Sequence, residues 1–181
     1  KTRHDMANIL STVAGFIEIG KSQKALEMIK SANNDIQISA NTEICKNETI
    51  NTIYSIKLKD AIEKKANLKV QVNESAPIKV SDYDLCRVLT NIIDNAINAV
   101  ENSSISKDIE LNIVSNSNDI LIKSKNAFAL NKSKKKDTEN HGYGQKIISD
   151  IAKKYNGTYT TKAENEYFST VTQLNNIDLN E

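Results

Sequence analysis

The segment Asp82–Glu101 constrains the fold of this chain more than any other part of its sequence. Its apolar residues follow i, i+3, i+4 and i+7 spacing, the pattern of a helix with one continuous buried face. They are Leu85, Val88, Leu89, Ile92, Ile93, Ala96, Ile97 and Val100. Ser81 or Asp82 is a suitable N-cap. A helix this apolar on one side must pack against a sheet or a helical bundle, so the segment predicts a central helix.

Short strands are predicted on both sides of this helix, from alternating or short apolar runs bounded by turn residues. They cover residues 68–72, 78–80, 109–114, 120–124, 158–161 and 167–174. A further helix is predicted over residues 143–155, with Asn156 and Gly157 as its C-cap. This order of elements predicts a mixed α/β domain with most helices on one face of the sheet.

The first quarter of the chain has only helical periodicity. Apolar spacing predicts one amphipathic helix over residues 5–20 and a second over 22–46, which together form a helical hairpin. A hairpin cannot bury both of its faces alone, whereas two hairpins pack as a four-helix bundle, which predicts a homodimer. The polar residues 47–52 predict a connection and hinge before a short helix over 54–66. The predicted fold class is therefore α+β, with domains at 1–50 and 51–181.

Composition narrows the range of partners. The 181 residues are 39% hydrophobic and 26% charged, with a net charge of +1, which argues against the basic surface of a nucleic-acid-binding protein. Cys45 and Cys86 form no CxxC or Cys/His group, so two free thiols are expected. No apolar run reaches the roughly 20 residues of a membrane span. We expect a cytoplasmic protein whose membrane attachment, if any, lies in a missing upstream region, since the chain begins without Met.

His4 lies at the start of the first predicted helix, one turn from Asn8 and next to Asp5. A carboxylate near an imidazole keeps one ring nitrogen protonated and makes the other a better nucleophile toward a phosphoryl group. A carboxamide one turn away could orient a water molecule for the reverse hydrolysis. The alternative is an ordinary solvated histidine near a chain end.

A row of amides runs along the central helix. Asn91, Asn95 and Asn98 lie at i, i+4 and i+7 beside the apolar face, with Asp94 adjacent. Amide oxygens are hard ligands suited to Mg²⁺, which takes further oxygens from nucleotide phosphates. The alternative is an exposed asparagine face in an Asn-rich protein.

Gly142 and Gly144 open the predicted helix over 143–155. Glycines at a helix N-terminus let backbone N–H groups approach phosphate oxygens, and the helix dipole favours the anion. The lysine cluster at 132–136 could cover such a site as a lid. The alternative is a tight turn from loop to helix.

Together, Arg3-His4-Asp5 with Asn8, the run from Asn91 to Ala99, and His141 to Gly144 resemble sensor histidine kinases of the peptide quorum-sensing type found in Firmicutes. The resemblance spans nearly the whole chain. It implies a dimeric phosphotransfer hairpin followed by a GHKL-type α/β sandwich that binds ATP. It also implies that His4 is autophosphorylated and passes the phosphoryl group to a response regulator receiver domain, with Asp5 as general base and Asn8 supporting phosphatase activity.

The resemblance further implies a site for ATP and Mg²⁺. Asn95 would be the Mg²⁺ ligand, and Asn91 and Asp94 would line the same nucleotide cleft. Gly142 and Gly144 would contact the phosphates, beneath a lid over residues 126–140.

One segment departs from the wider superfamily, which has an Asp-x-Gly-x-Gly box whose acid binds the adenine amino group. Residues 123–128 here read Lys-Ser-Lys-Asn-Ala-Phe, so Asn126 stands in place of the acid and the glycines are absent. The departure leaves open an ATP-independent phosphorelay phosphotransferase, or a pseudokinase scaffold that recognises partners through the hairpin. The glycine pair at 142 and 144 favours the kinase.

Overall fold

The protein is described by a computed structural model that covers residues 3–32, 43–128 and 138–179, with the backbone alone for residues 3 and 138–142. The chain divides into two compact units, Lys1–Ser39 and Ala40–Glu181. The boundary between the units, after Ser39, lies earlier in the chain than the boundary predicted between domains 1–50 and 51–181.

The first unit contains the two predicted helices, α1 (Arg3–Glu18) and α2 (Ser22–Ala32). Gly20 takes the left-handed conformation that ends α1, with φ of 71°. Residues 33–42, over which the second helix was expected to continue, lie outside the described residues. Its predicted end at residue 46 is wrong, because residues 43–46 are not helical. The buried side chain of Asn51 holds that stretch by accepting from the backbone N–H groups of Ile44 and Cys45 at 3.0 and 3.2 Å.

The second unit is built on one sheet among the described residues. Its strands are β1 (Asn67–Glu74), β2 (Asp108–Ser115), β3 (Asp119–Ala127), β4 (Thr158–Glu164) and β5 (Tyr167–Asn175). They lie in the order β1-β2-β3-β5-β4, with β1 and β2 parallel and the other pairs antiparallel. The predicted hairpin of β2 and β3 is confirmed. The strand predicted at 78–80 is wrong: the N–H of Lys79 donates to the side chain of Asn176 instead of joining the sheet.

Three helices of this unit are α3 (Glu48–Glu63), α4 (Asp82–Glu101) and α5 (Thr138–Lys154). The bounds of α4 agree with the sequence prediction, and the side chain of Ser81 caps it by accepting from the N–H of Asp84. The polar connection predicted at 47–52 is wrong, because Asn47 caps α3 and the helix begins at once. Likewise α5 begins before residue 143, so Gly142 and Gly144 lie inside the helix rather than at its start.

The core lies between the helices and one face of the sheet. In each strand every second residue faces the helices. Residues paired across neighbouring strands, such as Ile113 and Ile122, therefore point to the same side of the sheet. The apolar face of α4 supplies the opposite side, since Leu85, Val88 and Val100 are fully buried. The fold is thus the predicted α/β sandwich, with α4 at its centre.

The junction between α5 and β4 confirms the predicted C-cap. Asn156 has φ of 50°, and the N–H groups of Asn156 and Gly157 donate to the carbonyls of Lys153 and Ala152. A Cβ at Gly157 would lie 1.9 Å from the carbonyl oxygen of Gln173 in β5. Gly157 is therefore required by the close approach of two backbones.

Candidate functional site

The crossing of α4 and α5 brings together three of the predicted site residues. A Cβ at Gly144 would lie 2.8 Å from Oδ1 of Asn91 and 3.6 Å from Nδ2 of Asn95. Real Cβ atoms do not approach a polar oxygen at the shorter distance, so only glycine fits without a shift of Asn91. The backbone of α5 thus lies directly against two amide side chains of α4.

Local hydrogen bonding orients one of these amides. Nδ2 of Asn91 donates to the backbone carbonyl of Arg87 one turn earlier, at 2.7 Å. Its Oδ1 is then directed toward Gly144, while Asn95 follows one turn later and is exposed. The amide groups of Asn91 and Asn95 and a backbone without a side chain make a small polar surface that is open to solvent at Asn95.

Asp94 and Asn98 face a different neighbour. Asp94 forms an ion pair with Lys57 of α3 at 2.7 Å, and Asn98 accepts from Lys64 at 2.8 Å. Burial would lower the pKa of Lys57, but hydrogen bonds to Asp94 and Asp60 outweigh it and raise that pKa. The row of polar residues on α4 is therefore divided, with Asn91 and Asn95 toward α5 and Asp94 and Asn98 toward α3.

Asn126 lies near the end of β3 on the helix-facing side of the sheet, between its strand partners Ile109 and Phe168. It is 3% exposed, and its Nδ2 donates to the carbonyl of Ala127 at 2.9 Å. Oδ1 is the atom through which Asn126 can accept a hydrogen bond from a ligand. The lid was predicted over residues 126–140; of these, 129–137 lie outside the described residues and 138–140 belong to α5. Gly142 also lies in α5, where the backbone alone is described.

His4, Asp5 and Asn8 lie together in the first unit, on exposed turns of α1. Nδ2 of Asn8 is 3.3 Å from Nδ1 of His4, as the spacing of one helical turn predicts. This contact involves Nδ1, so Nε2 is the ring nitrogen turned away from Asn8. A rotated Asn8 amide could instead accept from a protonated Nδ1, and the pair therefore suits either tautomer.

A buried ionic cluster was missed by the sequence interpretation. The carboxylate of Asp84 in α4 accepts from Lys154 at 2.6 Å, Tyr155 at 3.0 Å and Ser81 at 3.1 Å. Burial raises the pKa of Asp84, but the hydrogen bonds from Lys154, Tyr155 and Ser81 outweigh it and hold that pKa below its ordinary value. The available signal was an acid directly before Leu85, on the apolar side of the helix.

Two cavities lie in other parts of the second unit. One of about 500 Å³ is lined by Lys46, Asn47, Glu48, Thr49, Glu74, Ser75, Ala76, Pro77, Ile78 and Asp82. One of about 300 Å³ lies between α3 and α4, beside Asp94 and Asn98. Neither is lined by Asn91, Asn95 or Gly144. The chemistry of the amide surface, rather than the size of these cavities, therefore identifies the candidate site.

Among the described residues, no group of three or more His, Cys, Asp or Glu side chains could hold a metal ion. A cation at this site would need amide and phosphate oxygens, the set that suits Mg²⁺ bound with a nucleotide. The glycine at 144 lets the backbone of α5 pack against Asn91 and Asn95, where a side chain would clash with Oδ1 of Asn91. No described helix is long and apolar enough to cross a membrane.

Residues 80–174 match the GHKL domain family, over more than half of the chain. The chain therefore belongs to the GHKL domain family. The matched region runs from just before α4 through β5 and so includes Asn91, Asn95, Asn126 and Gly144.

Similar proteins are histidine kinases and a sensor protein. The sensor protein CitS of Bacillus subtilis is 28% identical over 124 residues, which are 66% of this chain and 23% of CitS. The chain thus spans about a quarter of that relative. The catalytic domain of histidine kinase ThkA superposes with a TM-score of 0.57 at 16% identity, over 76% of this chain and 96% of the domain. The Acinetobacter baumannii histidine kinase AdeS gives 0.54 at 13% identity, over 98% and 100%. The second unit thus has the fold of a histidine kinase catalytic domain.

Proposed function

We propose that this chain is the phosphotransfer and catalytic part of a sensor histidine kinase. It phosphorylates His4 with ATP and then transfers the phosphoryl group to an aspartate of a response regulator receiver domain. The observation that carries the proposal is the packing of Gly144 against Asn91 and Asn95 inside a GHKL domain. The similarity to CitS and the exposed His4–Asn8 pair support it. The departure at Asn126 favours the peptide quorum-sensing subgroup.

Asn91, Asn95 and the α5 backbone at Gly144 would hold Mg²⁺ and the phosphates, with Oδ1 of Asn95 as the ligand of the ion. Bound there, Mg²⁺ would neutralise charge on the phosphate oxygens. Gly142 is assigned to the same phosphates, and Oδ1 of Asn126 to the adenine amino group. Asp94, which was predicted to line this cleft, faces α3 instead and would act on the cleft indirectly, through an ion pair with Lys57 that would fix the rotation of α4.

The chemical step uses the imidazole as nucleophile. The lone pair of Nε2 of His4 forms a bond to the γ-phosphorus, the bond from that phosphorus to the β–γ bridging oxygen breaks, and ADP leaves with those electrons. Asp5 accepts the proton that the other ring nitrogen loses. Transfer to the receiver domain then breaks the P–N bond and forms an acyl phosphate on its aspartate. Asn8 would orient the water that hydrolyses this aspartyl phosphate.

The first test separates nucleotide binding from phosphate acceptance. Calorimetric titration with a non-hydrolysable ATP analogue and Mg²⁺ should show binding that Asn95→Ala weakens at least tenfold. Changes even in the outer shell of a metal site lower affinity by roughly 10–100-fold, and Asn95 is assigned as a direct ligand. Asn98→Ala is the matched control, because this amide lies on the same helix but faces Lys64. Radiolabelled ATP should add phosphate to the wild type, whereas His4→Gln should bind the analogue and accept none.

Label in His4→Gln would contradict the assignment of the phosphorylated residue. Absence of binding by the wild type at millimolar analogue would exclude the ATP-dependent step. Phosphate transfer to His4 from a phosphorylated receiver domain would then identify an ATP-independent phosphotransferase.

We also propose that the chain forms a homodimer through α1 and α2. Met6, Leu10 and Ile17 are 46%, 59% and 56% exposed, and they lie with buried Val13 on one stripe of α1. A second hairpin would cover this stripe as in a four-helix bundle. Light scattering should give the mass of a dimer for the wild type. The double variant Leu10→Lys, Ile17→Lys should give the mass of a monomer. Ser11→Lys, on an exposed position of the same helix, should remain dimeric. A monomeric wild type would contradict this proposal.

A further inference from the structure

The first turn of α4 and the end of α5 share one buried carboxylate. The side chain of Asp84 is 3% exposed, and its Oδ2 accepts three hydrogen bonds, from Lys154, Tyr155 and Ser81. We call these four residues the Asp84 cluster. A carboxylate removed from water is unfavourable unless it is paired and hydrogen-bonded, so the position of its donors is strongly determined.

The donors from α5 are consecutive, and each is constrained in a different way. Lys154 remains half exposed and reaches Asp84 from the surface, while the ring of Tyr155 is buried in the core. The Tyr155 hydroxyl also accepts from the N–H of Ser81 at 3.2 Å. Sliding or rotation of α5 along α4 would break these bonds together.

Among the side chains of α4 and α5 that the structure describes, no other hydrogen bond or ion pair joins the two helices. Between the Asp84 cluster and Gly144 lie buried apolar side chains of the common core, including Val88, Ile148 and Ile151. Hydrophobic contacts are non-directional, so they specify the register of two helices less sharply than hydrogen bonds to one buried carboxylate do. The Asp84 cluster adds a directional constraint on register to the apolar packing between α4 and α5.

The candidate nucleotide site forms only in one register of α5 against α4. Gly144 has Tyr143 before it and Gln145 after it, and a Cβ in its place would lie 2.8 Å from Oδ1 of Asn91. A shift of α5 by one residue would bring a side chain to that position. The amide surface would then lose its close approach to the α5 backbone.

We infer that Asp84 is a positioning residue for the nucleotide site, holding α5 in the register that places Gly144 against Asn91 and Asn95. The inference rests on the proposed function for its catalytic meaning, but the register itself is a property of the nucleotide-free protein. Asp84 acts through α5 and does not contact the nucleotide.

The test uses the full chain and two independent readouts. One is the set of ¹⁵N NMR resonances of the Gly144 amide and of the Asn91 and Asn95 side chains without nucleotide. The other is the affinity for a non-hydrolysable ATP analogue with Mg²⁺. Tyr155→Phe removes one hydroxyl and keeps the buried ring, and Lys154→Met changes a half-exposed side chain, so both should fold. We expect both variants to shift the resonances of Gly144, Asn91 and Asn95. We also expect both to weaken binding of the analogue about tenfold, as changes to residues that orient the ligands of a metal site do.

Three further variants separate positioning from general stability. Lys154→Arg keeps the ion pair and should restore both readouts. Lys153→Met removes a neighbouring exposed charge and should change neither. Ile53→Val destabilises the core at α3, away from the cluster, and should also leave the site resonances unchanged.

Unchanged resonances at Gly144, Asn91 and Asn95 in folded Tyr155→Phe and Lys154→Met would overturn the inference, whatever the nucleotide affinity. If those resonances move but the wild type binds no nucleotide, the positioning role stands and the proposed function fails. If they move and binding is as tight as in the wild type, the register does not matter for the nucleotide, and the inference fails.

Discussion

Gly144 and Gly15 are both glycines inside helices, yet their surroundings differ. A Cβ at Gly15 in α1 would meet no atom within 4 Å, whereas at Gly144 it would meet Oδ1 of Asn91. Glycine in a helix is unfavourable by roughly 0.5–1 kcal/mol relative to alanine. At Gly15 the surrounding space does not explain the residue. At Gly144 the cost is offset by the approach of α5 to the amides of α4.

Alanine at these two positions should therefore have opposite effects. Gly15→Ala should raise the free energy of unfolding of its unit by about 0.5–1 kcal/mol. Gly144→Ala should give no such gain, because overpacking typically costs about 1–3 kcal/mol, and it should weaken nucleotide binding at least tenfold. Chemical denaturation and analogue titration measure the two effects. Asn91→Ala in the Gly144→Ala background should recover the stability, and a stabilised single Gly144→Ala variant would contradict the close contact.

At the scale of elements, α4 was predicted to its ends and α3 was not. The periodicity of α4 is strong and Ser81 is a good cap, so local sequence was sufficient. The start of α3 looked like a polar connection because Asn47 and Asn51 are polar. In the structure Asn47 is the N-cap, and Asn51 is buried where its amide binds residues 44 and 45. A buried asparagine that serves another segment cannot be distinguished by sequence from an exposed one.

The end of α3 carries a strained residue. Lys65 has φ of 56°, and the N–H groups of Lys65 and Ala66 close the helix by donating to Ile62 and Ala61. The left-handed conformation costs a non-glycine residue roughly 1–2 kcal/mol. Lys65→Gly should therefore raise the free energy of unfolding, by about 0.5–1 kcal/mol after the entropy of glycine in the unfolded chain is subtracted.

Urea denaturation measures this change. Glu63→Gly is the control, since residue 63 lies within α3, where glycine should lower stability. Equal losses in the two variants would contradict the conformational argument.

For the whole molecule, the Asp84 cluster predicts how stability depends on pH. The pKa of Asp84 is lower in the folded protein than its ordinary value, because the hydrogen bonds from Lys154, Tyr155 and Ser81 outweigh burial. Its contribution is then complete above the ordinary pKa of aspartate, about 3.9, and is lost as the pH falls through the lower folded pKa. Arg87 also lies near the carboxylate, at 4.0 Å.

Urea denaturation between pH 2 and pH 6 should therefore show stability falling with acid more steeply in the wild type than in Asp84→Asn. Asp150→Asn removes an exposed carboxylate from α5 and should keep the slope of the wild type. Equal slopes in wild type and Asp84→Asn would contradict a depressed pKa for Asp84.

By itself the sequence determined α1 and the start of α2, the whole of α4, the β2–β3 hairpin and the last two strands. It also placed His4 beside Asn8, because periods of 3.6 and 2 residues and the spacing of one helical turn are local properties. Only the tertiary structure decided that Asn91 and Asn95 face α5 while Asp94 and Asn98 face α3. It also decided that Asp84 binds the end of α5, about 70 residues later in the chain. The physical reason is that α4 has a neighbour on each side of its apolar face, and the partner of each polar residue depends on how those neighbours pack, which no local pattern encodes.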